Sequence, residues 1–157
     1  MGTYSDIELQ GAERAMRLVA IQQQLADWGL VMPPVEPIML HFGLHDFDRI
    51  GETEFWIANE VELGYCGKYL FLFDGQACPR HHHQRKHETF FIVQGTVRMC
   101  TDQGDRLMNP GDVLVMPPGV NHTFSGIGPA LVLEVSMPTL LQDNFFEDER
   151  IGEHGVI

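Results

Sequence analysis

Two glycine-bracketed segments constrain the fold of this chain more than any other feature. Each contains side chains that bind metals, and the set is His81, His83 and Glu88 in residues 75–95, with His122 at the end of residues 111–122. Alternation along a strand sends side chains i and i+2 to one face, so His81 and His83 can bind the same ion while His82 points away. Three imidazoles and one carboxylate suit a borderline divalent ion such as Mn(II), Fe(II), Ni(II), Co(II) or Zn(II). The pattern predicts a metal held inside a small β-barrel.

Short strand-like runs with glycine- and proline-containing turns fill the chain from Ile38 onward. The clearest runs are residues 53–58, 68–73, 113–116 and 130–135, and residues 109–112 form a strong turn between two runs. Gly95 is expected to turn a hairpin between residues 88–94 and 96–100. Many short strands with such turns are typical of an all-β sandwich or barrel. We expect the barrel to span residues 38–137.

The flanking regions predict one helix and an irregular tail. Residues 5–8 read Ser-Asp-Ile-Glu, a capping-box sequence, and apolar residues recur at helical spacing until Gly29 can stop the helix. We therefore expect a helix over residues 5–28, packed outside the barrel, followed by an extended proline-rich linker. Residues 138–157 are polar and irregular. At 157 residues, the chain 1–157 fits a single domain.

Composition argues against several kinds of partner. The net charge is -12, with 22 acidic and 10 basic residues, which disfavours binding to nucleic acid or to an anionic membrane. No apolar run approaches the ~20 residues of a membrane span, and the amino terminus lacks a secretory signal. The three cysteines form no CxxC pair and read as reduced thiols. These features predict a cytoplasmic protein.

The two segments resemble the paired motifs of the cupin superfamily, whose members are jelly-roll barrels with a central metal. His81, His83, Glu88 and His122 stand at the four ligand positions of those motifs. Gly126 stands where the second motif usually has an asparagine, which is not a ligand. The resemblance implies a cupin jelly-roll barrel, with the predicted helix outside it.

Within the cupins, the chain resembles the D-lyxose isomerase family over roughly residues 43–151. The matching stretches are residues 43–48, 73–83, 85–88, 117–124, 133–136, 143–145 and 150–151. Members of that family interconvert aldoses and ketoses with a divalent ion, commonly manganese, and act as dimers. The resemblance implies a homodimeric aldose–ketose isomerase that acts through a cis-enediol. It implies the pairs D-lyxose/D-xylulose and D-mannose/D-fructose as substrates and products, since both pairs share the C2 configuration.

An isomerase of this kind also needs acid/base groups, and two residues are candidates. Lys86 stands two residues before Glu88, so it can point into the barrel, where a nearby cation would lower its pKa. Its alternative is a solvated turn residue. Glu134 interrupts the apolar run 130–135, where an unpaired carboxylate would cost several kcal/mol. The resemblance places an acid/base carboxylate there, and the alternatives are exposure to solvent or a salt bridge with Lys68.

Two other functions remain open at this point. A three-histidine, one-glutamate site also serves Fe(II) dioxygenases on other cupins, and a cupin can bind a sugar without converting it. The residues do not choose the metal, because availability decides among first-row ions. His45, Asp46, Asp143 and Arg150 could contact either substrate or a neighbouring subunit.

Overall fold

The computed structural model describes residues 6–155, which form a curled antiparallel sheet and one α-helix. The elements of this described part, in chain order, are α1 (Gly11–Asp27), β1 (Ile38–Leu40), β2 (Glu52–Glu60), β3 (Tyr65–Leu72), β4 (His81–His82), β5 (Glu88–Thr101), β6 (Gly104–Met108), β7 (Val113–Met116), β8 (His122–Ser136) and β9 (Phe145–Phe146). Two 3-10 turns, Leu141–Asp143 and Glu153–Gly155, lie in the carboxyl-terminal segment. The all-β prediction is confirmed.

The long strands β5 and β8 organise the sheet. They pair antiparallel from Glu88 opposite Ser136 to Thr101 opposite His122. β8 also pairs with β3, which continues the sheet through β2 to β1, and with β4, which continues it to β9. β6 and β7 pair with β5. The two predicted ligand segments therefore meet on neighbouring strands.

Gly95 lies within a strand, so the predicted hairpin is wrong. β5 runs through this position from Glu88 to Thr101 with a register shift between Gln94 and Thr96. Gly95 has a φ of 78°, and an added Cβ would collide with the carbonyl oxygen of Pro129. Glycine thus supplies the left-handed backbone of a bulge. The chain turns after Thr101 instead and returns as β6.

The inner face of the sheet has an apolar end and a charged end. Period-two alternation places Leu70, Leu72, Ile92 and Val132 in one buried cluster with Phe90, Met99 and Phe124. Toward the other end of the same strands, the buried positions are Lys68, Glu88 and Glu134. The apolar end forms the hydrophobic core. Because the charged residues lie on the same strands, the packing of that core also fixes their positions.

Helix α1 packs outside this sheet, as predicted, but it begins at Gly11. Ser5 lies outside the described residues. The backbone of Ile7 and Leu9 instead pairs with the region of β1, where Leu9 donates to Met39 O at 2.8 Å. The edge of β1 offers backbone hydrogen-bond partners to this segment. Because side chains alternate along an extended segment, Ile7 and Leu9 lie on the same side, and both are buried. This pairing outweighs the capping-box pattern.

The end of α1 and its packing follow the sequence more closely. The helix ends at Asp27, and Gly29 follows with a φ of 70°. Ile21 and Leu25 are buried against a cluster that includes Phe55, Phe71 and Leu131, on the outer side of β2, β3 and β8. Within the described residues, no helix combines the length and apolar character needed to cross a membrane.

The carboxyl-terminal segment is more ordered than the predicted irregular tail. β9 pairs with β4, placing Phe146 opposite His81 and Phe145 opposite His82. Phe146 also packs on Phe42 with ring centroids 5.6 Å apart. Two consecutive aromatic residues thus attach the segment to the strand that carries the predicted ligands.

Candidate metal centre and acid/base site

Three predicted metal ligands meet in the structure. His81 on β4 lies opposite His122 on β8, and His83 follows directly after β4. The ligand atoms of these three histidines lie within 4.8 Å of one another, and all three side chains are buried. Gly119 donates its N–H to His83 O at 2.7 Å, which ties the second segment to the first. His82 faces the other way and stacks on Phe145 at 5.2 Å.

Backbone carbonyl groups fix the tautomer of each imidazole. The Nδ1–H of His81 donates to Pro79 O at 2.8 Å, and that of His122 donates to Val120 O at 3.0 Å. His83 donates in the same way to Asp143 O at 2.8 Å. A carbonyl oxygen only accepts, so each neutral ring presents an unprotonated Nε2.

Electrostatics keep two of these rings neutral. Burial lowers the pKa of His81 well below its usual value, and the neighbouring His122 and His83 lower it further. Burial also lowers the pKa of His122. Neutral imidazole is the form that binds a metal.

Glu88, at the start of β5, adjoins two of the histidines. Its Oε1 lies 3.3 Å from His83 Nε2, and its Oε2 lies 3.4 Å from His122 Nε2. Burial acts to raise the pKa of Glu88, but Lys86 and the two imidazoles outweigh burial and hold this pKa well below its usual range. Glu88 is therefore an ionised carboxylate beside the three Nε2 atoms.

Unpartnered atoms show that this cluster suits a cation. His83 Nε2, His122 Nε2 and Glu88 Oε2 are buried and have no hydrogen-bond partner within residues 6–155. More than nine tenths of buried polar groups in proteins have a partner. Three such atoms, two nitrogens and one carboxylate oxygen, converge here, which is the donor set of a divalent metal site. The residues fit the ion that the sequence predicts.

Lys86 reaches into the same cavity, so the solvated-turn alternative is wrong. Its side chain is buried, and Nζ donates to Glu88 Oε1 at 2.8 Å and to Glu134 Oε1 at 2.5 Å. The lowering of its pKa by a bound cation stays a prediction, whereas the neighbouring carboxylates of the protein act in the opposite direction. Burial acts to lower the pKa of Lys86, but Glu134 and Glu88 outweigh burial and raise it. Lys86 is thus an ammonium held between two carboxylates.

Glu134 lies on the inner face of β8 and is 2% exposed. Besides Lys86, it accepts a hydrogen bond from Ser136 Oγ at 2.8 Å, and its Oε2 lies 3.6 Å from Lys68 Nζ. The sequence alternative of exposure to solvent is therefore wrong, whereas the pairing with Lys68 is present. Glu134 joins two lysines within one buried cavity.

A second polar wall is formed by Glu52 and Glu54 on β2 and by Lys68 on β3. Sequence reasoning named Lys68 as a possible partner of Glu134 but missed both glutamates. Lys68 Nζ donates to Glu54 Oε1 at 2.7 Å, and Trp56 Nε1 donates to Glu54 Oε2 at 2.6 Å. We call Glu52, Glu54 and Lys68 the β2–β3 wall. The available signal was period-two alternation: Glu52, Glu54 and Lys68 interrupt β-rich runs at inward positions, as Glu134 does.

Proton occupancy differs within the β2–β3 wall. Burial acts to raise the pKa of Glu54, but Lys68 and other donors lower it to about 2. Burial and the charge of Glu54 raise the pKa of Glu52 well above its usual value. Glu52 is therefore a neutral acid beside the ionised Glu54.

The four residues whose roles the sequence left open have different positions. Asp46 pairs with Arg49 at 3.0 Å, Arg150 pairs with Asp148 at 2.6 Å, and His45 packs on His41 at 4.4 Å. Within the described part of the chain, His45, Asp46 and Arg150 do not line the metal-site cavity. Asp143 is buried and contacts His83.

Several known proteins resemble this chain in sequence or in fold. Residues 72–136 match the cupin domain family. A D-lyxose/D-mannose isomerase of Thermosediminibacter oceani is 29% identical over 139 residues, covering 70% of this chain and 75% of that protein. The D-lyxose ketol-isomerase of Cohnella laeviribosi is 29% identical, covering 59% of this chain and 66% of its own length.

A solved structure extends the similarity over nearly the whole chain. The L-ribose isomerase of Acinetobacter sp. DL28, in complex with L-ribose, aligns with a TM-score of 0.78 at 15% identity, covering 96% of this chain and 97% of that one. At that identity the likeness concerns the fold. The match over residues 72–136, together with the curled antiparallel sheet, shows a cupin domain in that part of the chain, and D-lyxose isomerases are among its relatives in sequence.

Proposed function

We propose that the protein is a metal-dependent aldose–ketose isomerase that interconverts D-lyxose with D-xylulose and D-mannose with D-fructose. The observation that carries this proposal is the buried Lys86–Glu134 pair, 2.5 Å apart, in the same cavity as the three histidines and Glu88. An acid and a base beside a metal site are what proton transfer between C1 and C2 requires. The relatives' named substrates support the choice of sugars.

His81, His83, His122 and Glu88 would hold the ion, and we propose Mn(II), although Zn(II), Fe(II), Ni(II) and Co(II) also fit these donors. A divalent ion supplies Lewis acidity there, which polarises a carbonyl group and acidifies the adjacent C–H bond. The protein contributes neutral imidazoles with fixed tautomers and an ionised Glu88.

The remaining chemistry belongs to Glu134 and Lys86. Glu134 removes the proton from C2 of the aldose while the ammonium of Lys86 gives a proton to O1, which leaves a neutral cis-enediol. The proton on O2 then passes to Lys86, and Glu134 returns its proton to C1 to complete the ketose. Both groups end in their starting protonation states. Ser136 and Lys68 hold the Glu134 carboxylate toward Lys86.

The charges of the cavity favour an unphosphorylated sugar. Among the described residues that line it there is no arginine. Lys68 lies between Glu54 and Glu134, and Lys86 lies between Glu88 and Glu134. A phosphate would meet four carboxyl groups without an unpaired cation. A neutral polyol can instead exchange hydrogen bonds with these groups.

The experiment is a product assay on metal-reconstituted protein with a panel of pentoses, hexoses and their phosphates, read by NMR. We expect ketose formation from D-lyxose and D-mannose. Glu134→Gln should lower kcat by about 10²–10⁴-fold with unchanged metal content, because it removes the base but keeps the shape. The exposed Glu62→Gln is the matched control and should retain full activity.

Other outcomes would favour the alternative functions. Oxygen uptake by the iron-loaded protein without ketose would favour a dioxygenase, and thermal stabilisation by a sugar without product would favour a binding cupin. Retention of most of the rate by Glu134→Gln would remove Glu134 from the mechanism.

We also propose that the protein is a homodimer in the cytoplasm, on the basis of the resemblance and of the three free thiols of Cys66, Cys78 and Cys100. Reduced cysteines are typical of that compartment. Light scattering coupled to size-exclusion chromatography tests the oligomeric state, and a mass near 17.8 kDa would contradict the dimer.

A further inference from the structure

The carboxyl-terminal segment reaches a predicted metal ligand through Asp143. This residue ends the 3-10 turn Leu141–Asp143 and is 6% exposed. Its backbone carbonyl accepts the Nδ1–H of His83 at 2.8 Å, across 60 residues of sequence. The tautomer and the direction of one imidazole thus depend on where this turn lies.

The side chain of Asp143 holds the loop between His83 and Glu88. Its Oδ1 accepts the backbone N–H groups of Gln84 at 2.9 Å and Arg85 at 3.1 Å, and its Oδ2 accepts that of Lys86 at 2.9 Å. Residues 83–87 belong to no strand. A buried carboxylate that accepts three consecutive N–H groups forms an anion nest, which fixes the backbone around it.

The backbone carbonyl and the carboxylate of Asp143 therefore both act on residues 83–86. The carbonyl accepts from the predicted ligand His83, and the carboxylate holds the backbone that carries Lys86. We propose that Asp143 is a positioning residue that orients His83 for the metal and Lys86 for proton transfer. This inference rests on the proposed metal centre and isomerase. The carboxyl-terminal segment would then help to position the residues of the site, although it contributes no metal ligand or acid/base group.

The test compares Asp143→Asn and Asp143→Ala with wild type by calorimetric titration of the metal-free proteins with Mn(II), and by the visible spectrum of the Co(II)-loaded proteins. Both substitutions keep the backbone carbonyl that accepts from His83, but they remove the carboxylate that holds residues 84–86, so the loop and this carbonyl should shift apart. Disturbing an outer partner of a ligating histidine typically causes a loss of about 10–100-fold in metal affinity. We expect that loss in both variants and an altered Co(II) spectrum, which reports ligand geometry. With metal at saturation, kcat should stay lowered, because Lys86 is displaced as well.

Asp148→Asn is the matched control, since Asp148 lies in the same segment but pairs with Arg150 outside the cavity. It should bind Mn(II) as wild type does. Wild-type affinity and spectrum in both Asp143 variants would overturn the inference while leaving the proposed function intact. Wild-type protein that binds no metal would overturn both.

A measurement on wild type covers the case in which the Asp143 variants do not fold. Hydrogen exchange of the metal-free protein should show protected amides at residues 84–86, although they lie in a loop. Exchange of these three amides at the rate of an open loop would contradict the inference without any substitution.

Discussion

The two walls of the cavity differ in whether their polar atoms are satisfied. On the metal wall, formed by the three histidines and Glu88, buried nitrogen and oxygen atoms face each other without partners. On the β2–β3 wall, Glu54 is held by Lys68 at 2.7 Å and by Trp56 at 2.6 Å. Because unsatisfied buried atoms require a ligand and satisfied ones do not, the metal wall is suited to binding and the β2–β3 wall to positioning.

Glu134 links these two walls. Lys86 connects it to Glu88 on one side, and Lys68 connects it to Glu54 on the other. Five charged side chains therefore alternate in sign through a buried region, which limits the cost of burying each one. The carboxylate proposed as the base is the member that both lysines contact.

The largest effect should come from breaking the metal wall. The double variant His81→Ala/His122→Ala removes two of the three clustered imidazoles, so metal binding and isomerase activity should both fall below detection. Mass spectrometry of the native protein gives the metal content. The matched control is His82→Ala, which removes the outward ring stacked on Phe145 and should keep its metal. Full activity in the double variant would separate catalysis from this cluster.

The second-largest effect should follow the removal of Lys86, the lysine between Glu88 and Glu134. Lys86→Met leaves Glu88 and Glu134 buried without their shared cation, so kcat should fall by about 10²–10⁴-fold. The free energy of unfolding of the metal-free protein should fall by about 3–5 kcal/mol, because breaking one side of a buried pair leaves charge uncompensated. Urea titration and steady-state kinetics give the two quantities. Stability equal to wild type would show that the 2.5 Å contact contributes nothing.

The β2–β3 wall should show the opposite pattern in metal binding. We expect Glu54→Gln to lower kcat by about tenfold, since a shift of one partner of Lys68 displaces Glu134 indirectly, and to leave the Mn(II) affinity unchanged. The double variant Glu54→Gln/Lys68→Met should be less destabilised than the sum of the single variants, because it removes both members of the pair. A large loss of Mn(II) affinity in Glu54→Gln would remove the distinction between the two walls.

The smallest effect should follow the loss of a single donor. Trp56→Phe removes the indole N–H that donates to Glu54 Oε2. Hydrogen bonds to charged groups contribute about 1.5–3 kcal/mol, so the free energy of unfolding should fall within that range while kcat changes less than tenfold. Chemical denaturation followed by circular dichroism measures the change. A loss of activity larger than that of Glu54→Gln would point to a direct contact between Trp56 and the sugar.

The contrast between the walls also explains what sequence alone could predict. The proposed metal ligands carry their own signal, because His81, His83 and Glu88 combine a residue type with a spacing that few other functions require. Period-two alternation then placed His82 on the opposite face, where the structure has it. The all-β class followed from the density of short strands and turns, and the jelly-roll barrel followed from the resemblance to the cupin motifs.

The features that sequence missed depend on partners distant in the chain. Glu54 is buried because Lys68 and Trp56 surround it, and Asp143 matters because its turn meets residues 83–86. The predicted start of α1 was wrong for a similar reason, since the pairing of Leu9 with Met39 competes with a local helix signal. The sequence predicted a hairpin turn at Gly95 because a bulge and a turn can both require the left-handed backbone that glycine adopts.

Isomerisation of D-lyxose in deuterated water tests the proton transfer most directly. The Mn(II)-loaded protein should form D-xylulose that carries deuterium at C1, because the proton held by Glu134 exchanges with solvent before it returns to carbon. Glu134→Gln should retain its metal and form both ketose and label about 10²–10⁴-fold more slowly. Ketose formed without deuterium after repeated turnover, or labelling by Glu134→Gln at the wild-type rate, would contradict the role of the Glu134 carboxylate.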